Sequence, residues 1–200
     1  MSKSLVKWLI GISITVFVML LVALYVIQQA QESRSMLPII KEVPPFTFTE
    51  RSGEPFGKDD LMGKISVVMF GFTSCKGPCP IMSANYARLY KLYETSDKVR
   101  LVWISVDPDV DTLARLNEYA ADFGATDDRW VFLRSDMAST AELCEGGFLL
   151  PAANLPGMHS TKFILVDDKA QIRGYYSGTD DASVEQLKTH IRELARKLPS

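Results

Sequence analysis

The sequence lacks any block rich in lysine or arginine and carries almost no net charge. Its 22 basic and 24 acidic side chains leave a formal charge of −2 at pH 7. A protein that binds the phosphate backbone of nucleic acid needs a concentrated basic surface, so no nucleic-acid partner is expected. Internal repeats and low-complexity segments are absent too, which excludes a solenoid and favours a single folded domain.

Cysteine and histidine are scarce, with three and two copies. An odd number of cysteines cannot all pair within one chain. Cys75 and Cys79 stand only four residues apart, so they are expected to share a function. Cys144 is left over, in the helical stretch 139–144, and is predicted to be a small buried hydrophobe, with a resolving thiol as the alternative. His190 lies beside the apolar stripe of the last predicted helix and is expected to face solvent.

Charge is missing from Trp8 to Ile27, where leucine, isoleucine and valine dominate. One helix of this length can cross a hydrocarbon core of roughly 30 Å, so residues 8–27 are predicted to form a transmembrane anchor. The alternative is a cleaved signal peptide, but its apolar core would span only about 7 to 15 residues. The best cleavage candidate, Ser33–Ser35, fits poorly.

Two lysines precede this run, whereas no positive charge follows it directly. The positive-inside rule therefore places residues 1–7 in the cytoplasm and the rest of the chain outside. In a bacterium the domain would face the periplasm from the inner membrane; in a mitochondrion it would face the intermembrane space. Disulfides can form in such a compartment.

Residues 28–43 are polar and are predicted to form a linker, after which 44–200 form one domain. The hydrophobic pattern predicts alternating strands and helices in that domain. The predicted strands are 46–49, 65–70, 101–106, 130–133, 163–166 and 172–176, and the predicted helices follow Pro80, Thr112 and Ser183.

The two neighbouring cysteines lie at a predicted strand-to-helix turn, because the apolar run 65–70 precedes them and Pro80 suits the first turn of a helix. The positive end of the helix dipole and the charge of Lys76 favour thiolate at this place, so reactive cysteines are expected. Their spacing fits either a disulfide or a shared soft metal ion, and both chemistries stay open here. The alternative is a pair of buried, inert thiols.

Three motifs occur in a fixed order along the domain: Gly71-Phe72-Thr73-x-Cys75-x-x-x-Cys79-Pro80, Ser105-Val106-Asp107-Pro108 with Asp111-Thr112, and His159-Ser160. Together with the β-α-β-α-β order they resemble the Sco/SenC family from about Val43 to the C-terminus. The resemblance implies an α/β fold of the thioredoxin-like class with an N-terminal β-hairpin extension, preceded by one transmembrane helix.

The resemblance also implies a copper metallochaperone whose metal ligands are Cys75, Cys79 and His159. The cargo would be Cu(I), with Cu(II) as a further state, and delivery would be to the CuA site of cytochrome c oxidase subunit II. A copper donor or a thiol reductant would be a second partner. Thiolates and imidazole suit Cu(I) on ligand type alone.

The chain departs from the family pattern next to the expected ligands. Lys76-Gly77 and Met158 stand where family members commonly carry Pro-Asp and Asp. Acidic partners for the metal ligands are therefore missing, and Lys76 adds positive charge. Met158 is another soft donor, but it is expected to serve packing. Asp107, at the end of a predicted parallel strand, is either an acidic site residue or an Asp-Pro turn former.

Other functions compete with copper delivery. A thiol-disulfide oxidoreductase would use Cys75 and Cys79 as a catalytic dithiol and would need no histidine. A peroxidase of similar fold would carry a threonine three residues before its reactive cysteine, and Thr73 is out of register with both Cys75 and Cys79. A purely structural scaffold is disfavoured by the cysteine pair at a turn.

Overall fold

The structure is a computed structural model that describes the backbone of residues 3–34 and 37–199. The chain forms two compact units, Met1–Leu37 and Pro38–Ser200. The first contains helix α1, Lys3–Arg34. Among the described residues, which in α1 include the side chains of Trp8 and residues 11–26 only, no helix is long and apolar enough to cross a membrane. The predicted span 8–27 also includes side chains outside that described part.

The predicted linker 28–43 differs from the structure at both ends. Helix α1 continues to Arg34. Strand β1, Lys41–Glu42, pairs with Gln171 and Ile172 in the last strand of the chain. Residues 35 and 36 lie outside the described residues. Because its backbone joins the sheet, the segment before Pro44 belongs to the second unit from Pro38 onward.

The second unit is built on an eight-stranded sheet in the order β1-β8-β7-β4-β5-β6-β2-β3. The remaining strands are β2 (Thr47–Glu50), β3 (Pro55–Gly57), β4 (Ile65–Gly71), β5 (Val99–Ser105), β6 (Trp130–Arg134), β7 (Lys162–Val166) and β8 (Gln171–Ser177). The helices are α2 (Lys58–Leu61), α3 (Cys79–Leu92), α4 (Leu113–Asp122), α5 (Met137–Glu142), which continues into a π-helix (Leu143–Gly147), and α6 (Asp181–Ala195). The N-terminal β-hairpin that the family resemblance implies is formed by β2 and β3, and β7 and β8 form a second hairpin.

The direction of the central strands explains where the site forms. Strands β4, β5 and β6 run parallel, as their continuous apolar sequences predict, and every residue of β4 is buried. Strand β7 runs antiparallel to β4, with Val68 opposite Ile164. The loop before β7 therefore arrives at the same sheet edge as the loop after β4. Residues near 75 and residues near 159 meet there.

Alternate side chains of the sheet fill two separate cores. On one face, Tyr86 of α3 packs against Trp130 and Phe163, and Tyr119 of α4 packs against Trp103. The buried cluster on the opposite face includes Phe48 and Phe56 of the β2-β3 hairpin and Cys144 of the π-helix region. The prediction of a buried Cys144 is confirmed by its 0% exposure, and Trp103 is likewise 0% exposed.

The start of α4 agrees with the prediction, whereas the start of α6 does not. The Thr112 hydroxyl accepts a hydrogen bond from the Arg115 backbone N–H and begins α4. Helix α6 begins earlier than the predicted Ser183, because the Asp180 carboxylate accepts the Ser183 N–H and caps the helix. A sequence with two candidate caps three residues apart does not by itself decide between them.

Candidate functional site

Three side chains from distant parts of the sequence meet at the carboxyl end of β4. Cys75 lies in the loop between β4 and α3, Cys79 is the first residue of α3, and His159 lies in the loop before β7. The Nε2 atom of His159 is 3.1 Å from the Sγ of Cys79 and 3.9 Å from the Sγ of Cys75. All three potential ligand atoms lie within 4.8 Å of one another.

These separations suit one small soft ion. A metal held at about 2.3 Å from two sulfurs and about 2.0 Å from one nitrogen in a trigonal plane separates its ligands by roughly 3.7 to 4.0 Å. The observed distances from His159 Nε2 to the two sulfurs are 3.1 and 3.9 Å. They differ from these ligand separations by less than the distance over which a side-chain rotation moves its terminal atom. The donor set, two thiols and an imidazole, is the type that Cu(I) prefers.

The hydrogen bonding of His159 leaves the correct nitrogen available. Its Nδ1 lies 3.1 Å from the backbone oxygen of Ser160. A carbonyl oxygen only accepts, so Nδ1 carries the proton and Nε2 presents its lone pair to the sulfurs. Burial lowers the pKa of His159, which keeps the imidazole neutral and able to bind a metal ion. The ring of Phe72 stands edge-on to it, with centroids 5.4 Å apart.

The prediction of an activated thiolate at the helix start is wrong for Cys79. Its side chain is buried, with the residue 1% exposed, and burial raises the pKa of Cys79 to about 12. Hydrogen bonding from the Phe72 backbone opposes this increase, whereas the nearby Cys75 adds to it. Loss of hydration outweighs the helix dipole here, so without metal Cys79 is a neutral thiol that donates to His159 Nε2.

Access to the site is uneven. Cys75 is half-buried, whereas Cys79 and His159 are buried, with His159 8% exposed. Lys76 and Met158 are exposed beside them. Met158 is 71% exposed, so the expectation that it serves packing is wrong. Cys75 is the most accessible of the three ligand residues. The third cysteine, Cys144, is fully buried, and burial raises its pKa to about 11.

His190 does not face solvent freely as predicted. The residue is partly buried, and its Nδ1 lies 2.6 Å from the hydroxyl oxygen of Tyr176 on β8. A position beside the apolar stripe of a helix can still contact a neighbouring strand when the side chain is long enough. His190 is thus a structural histidine with a hydrogen-bond partner.

Asp107, the acidic candidate from the sequence, is less buried than its neighbour Asp111. Asp107 is half-buried, and its backbone N–H donates to the Ser105 hydroxyl, which fits the turn alternative. Burial and the neighbouring carboxylates of Asp111 and Asp109 raise the pKa of Asp107. Asp111 is 0% exposed, and its carboxylate accepts hydrogen bonds from the Thr73 backbone N–H, the Thr73 hydroxyl and the Ser105 hydroxyl. Its sequence signal was hidden, because an acidic residue before the Thr112 cap looks like ordinary helix-start chemistry.

Known proteins resemble the second unit throughout. The sequence model of the SCO1/SenC family matches residues 38–196. The SCO1 protein homolog of Bacillus subtilis (strain 168) is 27% identical over 164 residues, which covers 79% of this chain and 85% of that protein. The crystal structure of a SCO1/SenC family lipoprotein from Bacillus anthracis str. Ames superposes with a TM-score of 0.73 at 31% identity and covers 79% of this chain and 97% of its own.

Yeast Sco1, solved with copper bound, shares the fold with a TM-score of 0.61 at 23% identity, covering 76% of this chain and 89% of its own. The thioredoxin-like α/β fold expected from the sequence is thereby confirmed for the second unit. The family match covers nearly all of that unit and includes Cys75, Cys79 and His159. This chain belongs to the SCO1/SenC family.

Proposed function

We propose that the protein carries copper as its cargo, bound by Cys75, Cys79 and His159, and delivers it to the CuA site of cytochrome c oxidase subunit II. The observation that supports this most is the convergence of two sulfurs and one imidazole nitrogen within 4.8 Å. The preference of thiolate and imidazole for Cu(I) makes the reduced ion the expected cargo. Thiol-disulfide exchange with a disulfide of another protein, which would take up two electrons as Cys75 and Cys79 form a disulfide, would release it.

The family relatives support the same proposal. Yeast Sco1 has been solved with copper bound, and a relative from Stutzerimonas stutzeri that is 28% identical is named for copper binding. BsSco, a protein of solved structure that is 24% identical to this chain, is described as a member of the Sco family of cytochrome c oxidase assembly proteins. The subunit that receives the copper is our inference from the family resemblance.

Delivery requires that bound copper can leave, and the uneven burial of the ligands supports a route. Only Cys75 is half-buried, whereas the other two ligands are enclosed. An incoming thiol can therefore reach the metal beside Cys75 and form a shared intermediate before the buried ligands release it. A site with three ligands leaves one coordination position for such an exchange.

The proposal includes the place of delivery. Residues 8–27 would anchor the chain, with residues 1–7 in the cytoplasm and the domain outside, on the side where a CuA domain is exposed. This part rests on the uncharged apolar run in the sequence. Protease added to intact spheroplasts of an expressing bacterium should digest the domain. Full protection of the domain until the membrane is broken would contradict this placement.

Copper titration tests the ligand set. The reduced full-length protein should bind one equivalent of Cu(I), and Cys75→Ser, Cys79→Ser and His159→Ala should each weaken binding by roughly tenfold or more, because two ligands hold the ion less well than three. His190→Gln is the matched control, since it changes the other histidine, and it should bind normally. Binding of one equivalent that survives in Cys75→Ser or His159→Ala would refute the ligand set.

Transfer is tested separately. The copper-loaded protein is mixed with the copper-free CuA domain of subunit II, the two are separated, and the copper on each is measured. Copper should move to the CuA domain. Copper that stays on the donor, although the CuA domain accepts free copper under the same conditions, would leave a binding protein without the proposed client.

A thiol-disulfide oxidoreductase is the second candidate, favoured by the closeness of the free thiols of Cys75 and Cys79. The dithiol would give two electrons and two protons to a client disulfide and become a disulfide itself. BsSco is described as containing a disulfide switch. If His159→Ala retains full oxidase assembly in cells while both cysteine variants lose it, this function replaces copper delivery.

A further inference from the structure

The segment Phe72–Thr73 contacts two of the three proposed ligands, Cys75 and His159. The Phe72 carbonyl accepts the backbone N–H of Cys75 at 3.3 Å. The Phe72 ring also packs edge-on against the imidazole. The position of this segment therefore decides how these two ligands face one another.

The end of this segment is fixed by one buried carboxylate. The Thr73 backbone N–H donates to Asp111 Oδ1 at 3.1 Å, and the Thr73 hydroxyl donates to the same oxygen at 2.6 Å. The other oxygen, Oδ2, accepts the hydroxyl of Ser105 at 2.6 Å. Because Thr73 follows β4 and Ser105 ends β5, Asp111 joins the carboxyl ends of the two central strands.

We infer that Asp111 is the positioning residue of the metal site: it makes no hydrogen bond to a proposed ligand but holds the segment that contacts Cys75 and His159. The carboxylate is 0% exposed, and a buried charge is retained only where its hydrogen bonds are satisfied. Arg115 supports the arrangement, since its Nε donates to the Thr73 hydroxyl at 3.3 Å. This inference rests on the proposed copper function for its first readout.

Asp111→Asn tests the inference, because an amide keeps the size of the side chain but offers one acceptor oxygen where the carboxylate offers two. The Cu(I) affinity of the reduced full-length protein, measured by competition with a chromophoric chelator, should fall by roughly tenfold or more. X-ray absorption of the copper-loaded variant should report fewer or longer copper-ligand bonds. Thr73→Val should reproduce both effects, and Thr73→Ser should restore affinity because it retains the hydroxyl.

Asp167→Asn is the matched control for a general loss of stability. Asp167 is also a buried carboxylate, 2% exposed, and accepts hydrogen bonds from Arg173 and from the backbone of Lys169 and Gln171. It lies after β7, at the opposite end of that strand from His159. This variant should lower the midpoint of thermal unfolding yet bind Cu(I) with normal affinity.

Two outcomes overturn the inference: Asp111→Asn and Thr73→Val fold and bind Cu(I) like the wild type, or Asp167→Asn weakens Cu(I) binding as strongly as they do. A metal-free readout separates this from failure of the proposed function. If the wild-type protein binds no Cu(I), the proposed copper function fails. The role of Asp111 is then tested by the equilibrium of the Cys75–Cys79 dithiol with oxidised glutathione. Asp111→Asn should shift that equilibrium constant by roughly threefold or more, and Asp167→Asn should not.

Discussion

The Nε2 atom of His159 lies 3.1 Å from the Sγ of Cys79, although the residues are 80 positions apart in the sequence. Both residues are buried, and Nδ1 of the same ring donates a hydrogen bond to the Ser160 carbonyl. The Cys79 thiol keeps its proton because burial raises its pKa. The metal-free site is thus a neutral, hydrogen-bonded arrangement that a soft cation can occupy by displacing protons.

Alkylation should distinguish the three cysteines. Iodoacetamide reacts with accessible thiolates, and only Cys75 is half-buried. The pKa of Cys79 is raised to about 12 and that of Cys144 to about 11, so both stay protonated at pH 8 as well as buried. Mass spectrometry of the native reduced protein should find Cys75 modified first, by roughly tenfold in rate or more. In urea all three should react at similar rates, and equal rates in the native protein would contradict the described burial.

Copper affinity should rise with pH. Below its pKa of about 12 the Cys79 thiol holds a proton that copper must displace, so lowering the proton concentration favours binding. Each displaced proton contributes about a tenfold gain per pH unit, whereas His159 contributes none near pH 8 because burial lowers its pKa. Chelator competition at pH 6, 7 and 8 measures the slope. The slope for Cys79→Ser should be smaller by about one proton released per copper bound. An affinity that does not change between pH 6 and 8 would contradict a protonated Cys79 thiol.

Tyr86 should matter for stability beyond its ring. It is 0% exposed, and its hydroxyl donates to the backbone oxygens of Val67 and Val102 on two neighbouring strands. Tyr86→Phe should lower the free energy of unfolding in urea by about 1 kcal/mol. Tyr86→Ala should lower it by about 3 to 5 kcal/mol because it also removes the ring. Tyr90→Phe, on the same helix, removes a hydroxyl whose hydrogen bond with the Thr126 N–H is exposed to solvent, so it should change the free energy of unfolding by less than Tyr86→Phe does. A Tyr86→Phe protein of wild-type stability would show that the Tyr86 hydroxyl contributes nothing.

Gly178 should not tolerate a side chain. A Cβ placed there would lie 2.7 Å from the ring of Phe163, which is 0% exposed and cannot move away. Gly178→Ala should therefore lower the free energy of unfolding by about 1 to 3 kcal/mol. Gly146→Ala is the control, because a Cβ there meets nothing within 4 Å. Equal stabilities of the two variants, measured by urea unfolding, would contradict the described packing.

Much of the fold could be predicted from local sequence. The continuous apolar run of β4 predicts a strand covered on both faces, and the helix predicted after Pro80 is α3, whose buried residues include Met82, Tyr86 and Leu89 at helical spacing. These succeed because the periods of strand and helix dictate which side chains share a face. Helix α6 begins two residues before the predicted start at Ser183, because the Asp180 side chain caps it.

The sequence by itself determined the central strands and helices, the two neighbouring thiols at a strand-to-helix turn, and, through ordered motifs, the family. Only the tertiary structure decided the chemistry at that turn. The antiparallel placement of β7 beside β4 brings His159 to the sulfurs, burial keeps Cys79 protonated against the helix dipole, and Asp111 rather than Asp107 is enclosed. Proximity between distant segments and loss of hydration are properties of the folded chain, so no local pattern of residues can encode them individually.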